Sequence, residues 1–180
     1  MAKEHGLVGP FPDGVDPDGY DRARRRILWS MPTGLFVLGS VHDARRNLMT
    51  LNWGMQVATD PKIVCVSVEA EAVTHGLVRD GGVFSLSILS REDRAIVRKF
   101  VKPLDDAGEP SRLGGFDVFT ATTGAPILAV AAAWLDCEVR DTLPLGSHTL
   151  FTAEVVNCGG EVDDDTEILR MEDTRMSYGG

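Results

Sequence analysis

The segment at residues 46–61, RNLMTLNWGMQVATDP, constrains the fold most strongly because its hydrophobicity alternates with a period of two residues. One face of the segment would carry Met49, Leu51, Trp53 and Met55, and the other would carry Thr50, Asn52, Gly54 and Gln56. Because side chains alternate across a β-strand, the pattern predicts a strand with one apolar and one polar face. The polar face would suit a flat polar ligand lying along the strand, although the pattern alone favours an ordinary strand with that face in water.

The rest of the chain contains more strand patterns than helix patterns. Strands are predicted at residues 33–41, 62–68, 83–89, 126–130, 131–140 and 147–157, with further strand character from Phe116 onward. Short helices are predicted at about 18–31, 72–80 and 90–100. Because the strands come mainly in hairpins and not in strand–helix repeats, we expect a mainly β protein, an antiparallel barrel with a few short helices.

The composition limits the expected partners and compartment. The 180 residues are most simply one domain, and their net charge of −9 argues against nucleic acid, whose phosphates need a positive surface. No apolar run approaches the roughly 20 residues of a membrane helix, and the first residues lack an apolar signal region. Three widely spaced cysteines are typical of buried free thiols in a reducing environment. The sequence therefore predicts a cytoplasmic protein with no membrane partner.

Familiar catalytic motifs are missing from the sequence. It contains no GxGxxG fingerprint, no phosphate-binding GxxxxGK[ST] loop, no HExxH zinc motif and no GxSxG nucleophile motif. The acidic run at 163–165 is most simply a solvated loop, so no metal site is predicted.

Two of the four histidines stand where they could act on a ligand. His75 follows Thr74 at the start of a predicted helix, where a hydroxyl and free backbone N–H groups could bind an anion. His148 opens a strand after a turn, and a histidine there could donate a hydrogen bond or a proton near neutral pH. For both, the pattern alone favours an ordinary structural residue. His5 and His42 are predicted to lie on the surface.

Five parts of the chain form a recognisable series of segments. They are NLMTLNW at 47–53 with Asp60-Pro61, VTHGL at 73–77, VFSLSIL at 83–89, TGAPI at 123–127 with AWLDCEV at 133–139, and GSHTLFTAEVV at 146–156. Taken in this order, they resemble the FMN-binding split-barrel family of flavin reductase-like proteins. The first two segments are most similar to the flavoredoxin-like branch. The resemblance implies a split-barrel domain at 27–158, an N-terminal extension at 1–26 and a C-terminal tail at 159–180 that packs on the barrel.

The resemblance also implies an enzyme and its site. It implies a homodimer that binds FMN near the subunit interface, with FAD possible, and that takes hydride from NADH or NADPH. Reduced flavin would then pass to a monooxygenase or another acceptor. His148 would be catalytic, and the cofactor would bind Met49, Thr50, Leu51, Asn52, Trp53, Ser67, Thr74, His75 and Lys102. The alternatives are an FMN-containing electron carrier without nicotinamide activity and a non-catalytic ligand-binding module.

The sequence departs from the family pattern at two positions. Ala72 and Val73 stand where many relatives have a serine and a basic residue before Thr74, so one charge-assisted phosphate contact is missing there. Lys102 or Arg112 could replace it. Ser147 stands in place of an aspartate, which removes a carboxylate that would orient His148.

Overall fold

The computed structural model describes residues 6–174 and residue 176, which fall into two units. The smaller unit includes residues 6–32 and contains helix α1, Pro17–Trp29. Asp16 caps α1, because its carboxylate accepts a hydrogen bond from the Gly19 N–H at 2.8 Å. The larger unit, residues 33–174, contains helix α2 and all the strands of the described chain.

Ten strands form two antiparallel sheets in the larger unit. They are β1 Phe36–His42, β2 Arg45–Leu51, β3 Gly54–Thr59, β4 Lys62–Glu69, β5 Val83–Ile88, β6 Arg112–Leu113, β7 Phe116–Thr120, β8 Pro126–Leu128, β9 Ala133–Pro144 and β10 His148–Gly160. Seven of them make one sheet in the order β2-β1-β5-β9-β10-β4-β3, and β6-β7-β8 make the other. Helix α2, Val73–Gly81, lies between β4 and β5 in the chain and ends at Gly82, whose φ of 68° suits a glycine cap.

The large sheet must curl, because its two edge strands are neighbours in the chain. Only Asn52 and Trp53 separate β2 from β3, and three Cα–Cα steps span at most about 11 Å. In a flat sheet of seven strands the edges would lie about 29 Å apart, at roughly 4.8 Å per strand. Within the described residues β2 and β3 do not pair, so the edges approach without joining. We call the gap between them the seam, and this open curled sheet confirms the predicted antiparallel split barrel.

The inside of the curled sheet holds the hydrophobic core. Its buried members are Leu38, Leu51, Val64, Val66, Val68, Val78, Phe84, Leu86, Cys137, Phe151 and Ala153. They come from six different strands and from α2, so the core fixes how these elements lie around the seam. Phe84 and Phe151 are fully buried, and each contributes about 1.5–3 kcal/mol by the area it removes from water.

Two local predictions were wrong. The predicted helix at 90–100 is instead two short 3-10 helices, Arg91–Asp93 and Ile96–Phe100. The backbone around Ser90 is engaged elsewhere, because Ser90 forms a β-bridge with Ile168 and the Leu89 carbonyl accepts from the Leu169 N–H. The strand predicted within residues 46–61 breaks at residues 52–53, where the chain crosses from one sheet edge to the other.

The cysteines follow the prediction in part. Cys65 and Cys137 are buried, but Cys158 is exposed. A register shift between Val155 and Asn157 interrupts the regular alternation of β10 and explains why the prediction was wrong there. Among the described residues, no helix has the length and apolar character needed to cross a membrane. The predicted boundaries at 26 and 158 remain predictions.

Candidate functional site

The rings of Trp53 and His148 are in contact at the seam. Their centroids lie 4.9 Å apart and their planes are tilted by 59°. Ser67 joins the two residues through the backbone, because its N–H donates to the Trp53 carbonyl at 2.9 Å and it pairs with Leu150 of β10. Trp53 keeps 36% of its surface exposed. The fold thus brings three predicted site residues together and leaves part of the Trp53 indole accessible to a ligand.

His148 is held by polar neighbours on both sides. Its Nδ1 lies 2.9 Å from the Ser147 hydroxyl, and Glu69 is its partner across the β4–β10 ladder. Burial lowers the pKa of His148 below its ordinary value, and the charge of Glu69 partly opposes this shift. The ring is therefore mainly neutral at pH 7. When Ser147 donates to Nδ1, the ring hydrogen stands on Nε2, so Ser147 provides an orienting contact at the position where the aspartate is missing.

His75 links α2 to the same strand. Its Nε2 lies 2.8 Å from the hydroxyl of Thr149, the residue after His148, and its ring packs edge-on against Phe151 with centroids 5.4 Å apart. Only 8% of His75 is exposed. Burial lowers its pKa, and the positive charge of Arg79 lowers it further. A direct contact between His75 and a cofactor remains a prediction, whereas its structural link to β10 is clear.

The Tm of the His75→Gln variant is expected to depend less on pH than the Tm of the unmodified chain. The folded-state pKa of His75 lies below the unfolded value, so its neutral form contributes stability that is complete above about pH 6.5 and is lost as the pH falls through the folded-state pKa. We expect the Tm of the unmodified chain to fall more between pH 7.5 and 5.5 than that of His75→Gln. His42→Gln, at the partly exposed end of β1, is the control. Equal slopes for the chain and the His75 variant would contradict this prediction.

Thr74 lies in the first turn of α2 and is fully buried. Its hydroxyl oxygen accepts a hydrogen bond from the Asn47 amide at 2.8 Å, and this contact connects the first turn of α2 to β2. Ala72 precedes α2 and, within the described residues, gives no side-chain cap. Val73 is exposed beside it. The first N–H groups of α2 are therefore better placed than the Thr74 hydroxyl to meet an anion.

The segment predicted to line the cofactor has both faces engaged in packing. Leu51 belongs to the core and Met49 packs against it. Thr50 is buried and donates a hydrogen bond of 2.5 Å to the Val97 carbonyl, so its hydroxyl is used inside the protein. Asn52 is half-buried in the link to β3. Along this segment, the backbone and residues 52–53 are therefore the parts that a ligand at the seam could contact.

Lys102 is exposed in the loop at 101–111, which β2 holds in place. Arg46 makes a two-point contact with Asp106, at 2.6 and 2.9 Å, and also donates to the Glu109, Pro110 and Arg112 carbonyls. This contact lowers the pKa of Asp106. Lys102 therefore lies on an anchored loop, and its contact with a cofactor remains a prediction.

Sequence reasoning missed four supporting residues of the site. They are Arg46, Asn47, Glu69 and Thr149. Asn47 and Thr149 stand inside the segments that carried the family resemblance, next to residues that were selected. Their partners lie on α2 or in the loop at 101–111, far from them in sequence, so only the folded structure could identify what they bind.

Comparisons with known proteins identify the family of the chain. The flavin reductase like domain family matches residues 28–179. Over 137 residues the chain is 34% identical to the NADH-dependent flavin reductase StyB of Pseudomonas fluorescens, covering 75% of this chain and 76% of that protein. It is 30% identical over 155 residues to an NADH-dependent FAD reductase of Streptomyces globisporus, covering 83% and 81%.

A solved structure shows the same fold. The styrene monooxygenase flavin reductase of Pseudomonas putida S12 superimposes with a TM-score of 0.62 at 32% identity, covering 76% of this chain and 86% of that chain. These findings confirm the predicted fold and the predicted class of enzyme, a flavin-reducing oxidoreductase. The chain belongs to the flavin reductase like domain family.

Proposed function

We propose that this protein is an NADH-dependent flavin reductase that delivers reduced flavin to a separate monooxygenase. The observation that carries the proposal is the contact between the Trp53 and His148 rings, partly exposed at the seam, with the Ser67 N–H bonded to the Trp53 carbonyl. Relatives named as NADH-dependent flavin and FAD reductases support the donor, and a relative named as a styrene monooxygenase flavin reductase supports the acceptor. Either FMN or FAD fits the proposal.

The residues at the seam fit a flavin by their chemistry. A flavin combines a flat aromatic ring, polar ring edges and a phosphate. The exposed part of Trp53 suits the ring, the half-buried Asn52 and the backbone at 52–53 suit the polar edge, and the first turn of α2 suits the phosphate. Lys102 is the proposed positive charge for that phosphate, because Ala72 and Val73 supply none.

The chain's own residues would orient the reactants and supply a hydrogen bond. When bound, flavin accepts the hydride of NADH, and one proton from solvent completes its reduction. Neutral His148, oriented by Ser147, offers its Nε2–H to the site, where it stabilises negative charge that develops on a reactant. The tilted contact with the Trp53 ring restricts the position of His148. The core beneath the seam keeps these groups in place between turnovers.

We also propose a homodimer with the flavin near the subunit interface. Edge strand β3 supports this proposal, because Met55 and Val57 expose 64% and 51% of their surfaces next to Trp53. Exposed apolar side chains on an edge strand are typical of a surface that another chain covers. Sedimentation analysis of the full chain tests it, since a monomer at micromolar concentration would contradict the proposal.

Steady-state nucleotide oxidation tests the proposed activity directly. We expect NADH oxidation when FMN or FAD is added, and slower oxidation of NADPH. A visible spectrum taken after flavin addition and desalting then separates a bound cofactor from a flavin that passes through as a substrate. Failure to oxidise either nucleotide with FMN, FAD or riboflavin, above a protein-free blank, would contradict the proposed function.

A further inference from the structure

Asn47 is a buried amide that joins two separate parts of the proposed site. Its Nδ2 donates to the Thr74 hydroxyl at 2.8 Å, and its Oδ1 accepts from the Leu104 N–H at 3.0 Å. Only 4% of Asn47 is exposed. One side of this amide therefore holds the first turn of α2, and the other side holds the loop that contains Lys102.

The preceding residue holds the same loop at its other end. Arg46 binds Asp106 through two nitrogen atoms and reaches the Glu109 carbonyl at 2.9 Å. The two anchors are consecutive residues of β2, so the loop is fixed to one short piece of a strand. Loop movement relative to α2 would require breaking the buried Asn47 contacts, and a buried polar group left without a partner is costly.

We propose that Asn47 is a positioning residue for the flavin phosphate. By bridging Thr74 and Leu104, it holds the first turn of α2 and the backbone of the loop that carries Lys102 at a fixed separation. Val73 lies one residue before Thr74 and Lys102 lies two residues before Leu104. This inference rests on the proposed flavin reductase function and adds a preference for flavins that carry a phosphate.

The inference distinguishes two roles that would otherwise look the same. If Asn47 only stabilised the fold, its loss would weaken binding of every flavin to the same degree. If it positions the phosphate contacts, its loss should weaken FMN binding much more than riboflavin binding, because riboflavin lacks the phosphate. The ratio of the two Kd values is therefore the decisive quantity.

The test measures FMN and riboflavin binding by fluorescence titration of the full chain. For Asn47→Leu, which keeps the volume and removes both hydrogen bonds, we expect the Kd for FMN to rise about tenfold or more and that for riboflavin less than about threefold. Hydrogen exchange at the Leu104 amide should become faster in this variant. Asp106→Ala loosens the same loop from Arg46 and should shift the ratio in the same direction, by about threefold.

The matched control is Ser87→Ala. Ser87 is fully buried and accepts a hydrogen bond from the Leu128 N–H at 3.1 Å, so this variant also frees a buried N–H, but at β8. Its Kd ratio should stay unchanged. An unchanged ratio in Asn47→Leu would overturn the inference, and if that variant does not fold, an unchanged ratio in Asp106→Ala overturns it instead. An unmodified chain that binds neither flavin would contradict the proposed function itself.

Discussion

Replacing His148 with alanine is expected to lower kcat for flavin reduction by about 100-fold, the low end of what one hydrogen-bond donor aimed at developing charge contributes. The Kd for flavin should change by less than about threefold, because the Trp53 surface and the start of α2 remain. The cause is the loss of the oriented ring, which Ser147 contacts at 2.9 Å. Anaerobic stopped-flow measurement of flavin bleaching with NADH gives the rate, and fluorescence titration gives the affinity.

The control for this prediction is His42→Ala. His42 ends β1 and lies 3.3 Å from the Asp43 carboxylate, outside the Trp53–His148 pair. The His42→Ala variant should reduce flavin at the rate of the unmodified chain. Unchanged kcat in the His148 variant would remove His148 from the mechanism, whereas parallel losses of rate and affinity would make it a binding residue.

Replacing Phe151 with alanine is expected to lower the free energy of unfolding by about 3–5 kcal/mol. Phe151 is fully buried in β10, so the substitution removes a large apolar side chain and leaves a cavity in the core. The same ring packs edge-on against His75, so its loss also weakens the link from α2 to β10. Urea denaturation followed by circular dichroism measures the change.

Phe119→Ala is the matched control for the Phe151 variant. Phe119 lies in β7, is 38% exposed and meets Trp134 edge-on with centroids 5.6 Å apart. Its removal should cost only about 1 kcal/mol, because little buried area and one aromatic contact are lost. Similar losses in the two variants would show that the core does not depend on Phe151 as we expect.

Local patterns predicted the regular elements well, because those elements depend on nearby residues. The strand predicted at 62–68 is Lys62–Glu69, and the one predicted at 147–157 is His148–Gly160. Helix α2 lies within one residue of its prediction, since Gly82 ends it by a local backbone preference. The family resemblance added the split barrel, which alternation alone does not specify.

The remaining errors and gaps involve partners that are distant in sequence. Ser90 looks like the start of a helix, but its bridge to Ile168 takes the backbone into a different conformation. Thr50 looks available to a ligand, but the Val97 carbonyl accepts its hydroxyl. The contact between the Trp53 and His148 rings likewise depends on how the strands pair. A single sequence gives no direct information about that pairing.

The curled sheet also determines the order in which its parts can assemble. The β1–β2, β3–β4 and β9–β10 hairpins join residues that are close in the chain, whereas β4 meets β10 across a separation of about 80 residues, as between Glu69 and His148. Closing such a long loop is entropically costly, so this pairing follows the hairpins during folding. Trp53 and His148 meet only through that pairing. A partly folded chain that holds only its hairpins therefore has no assembled site.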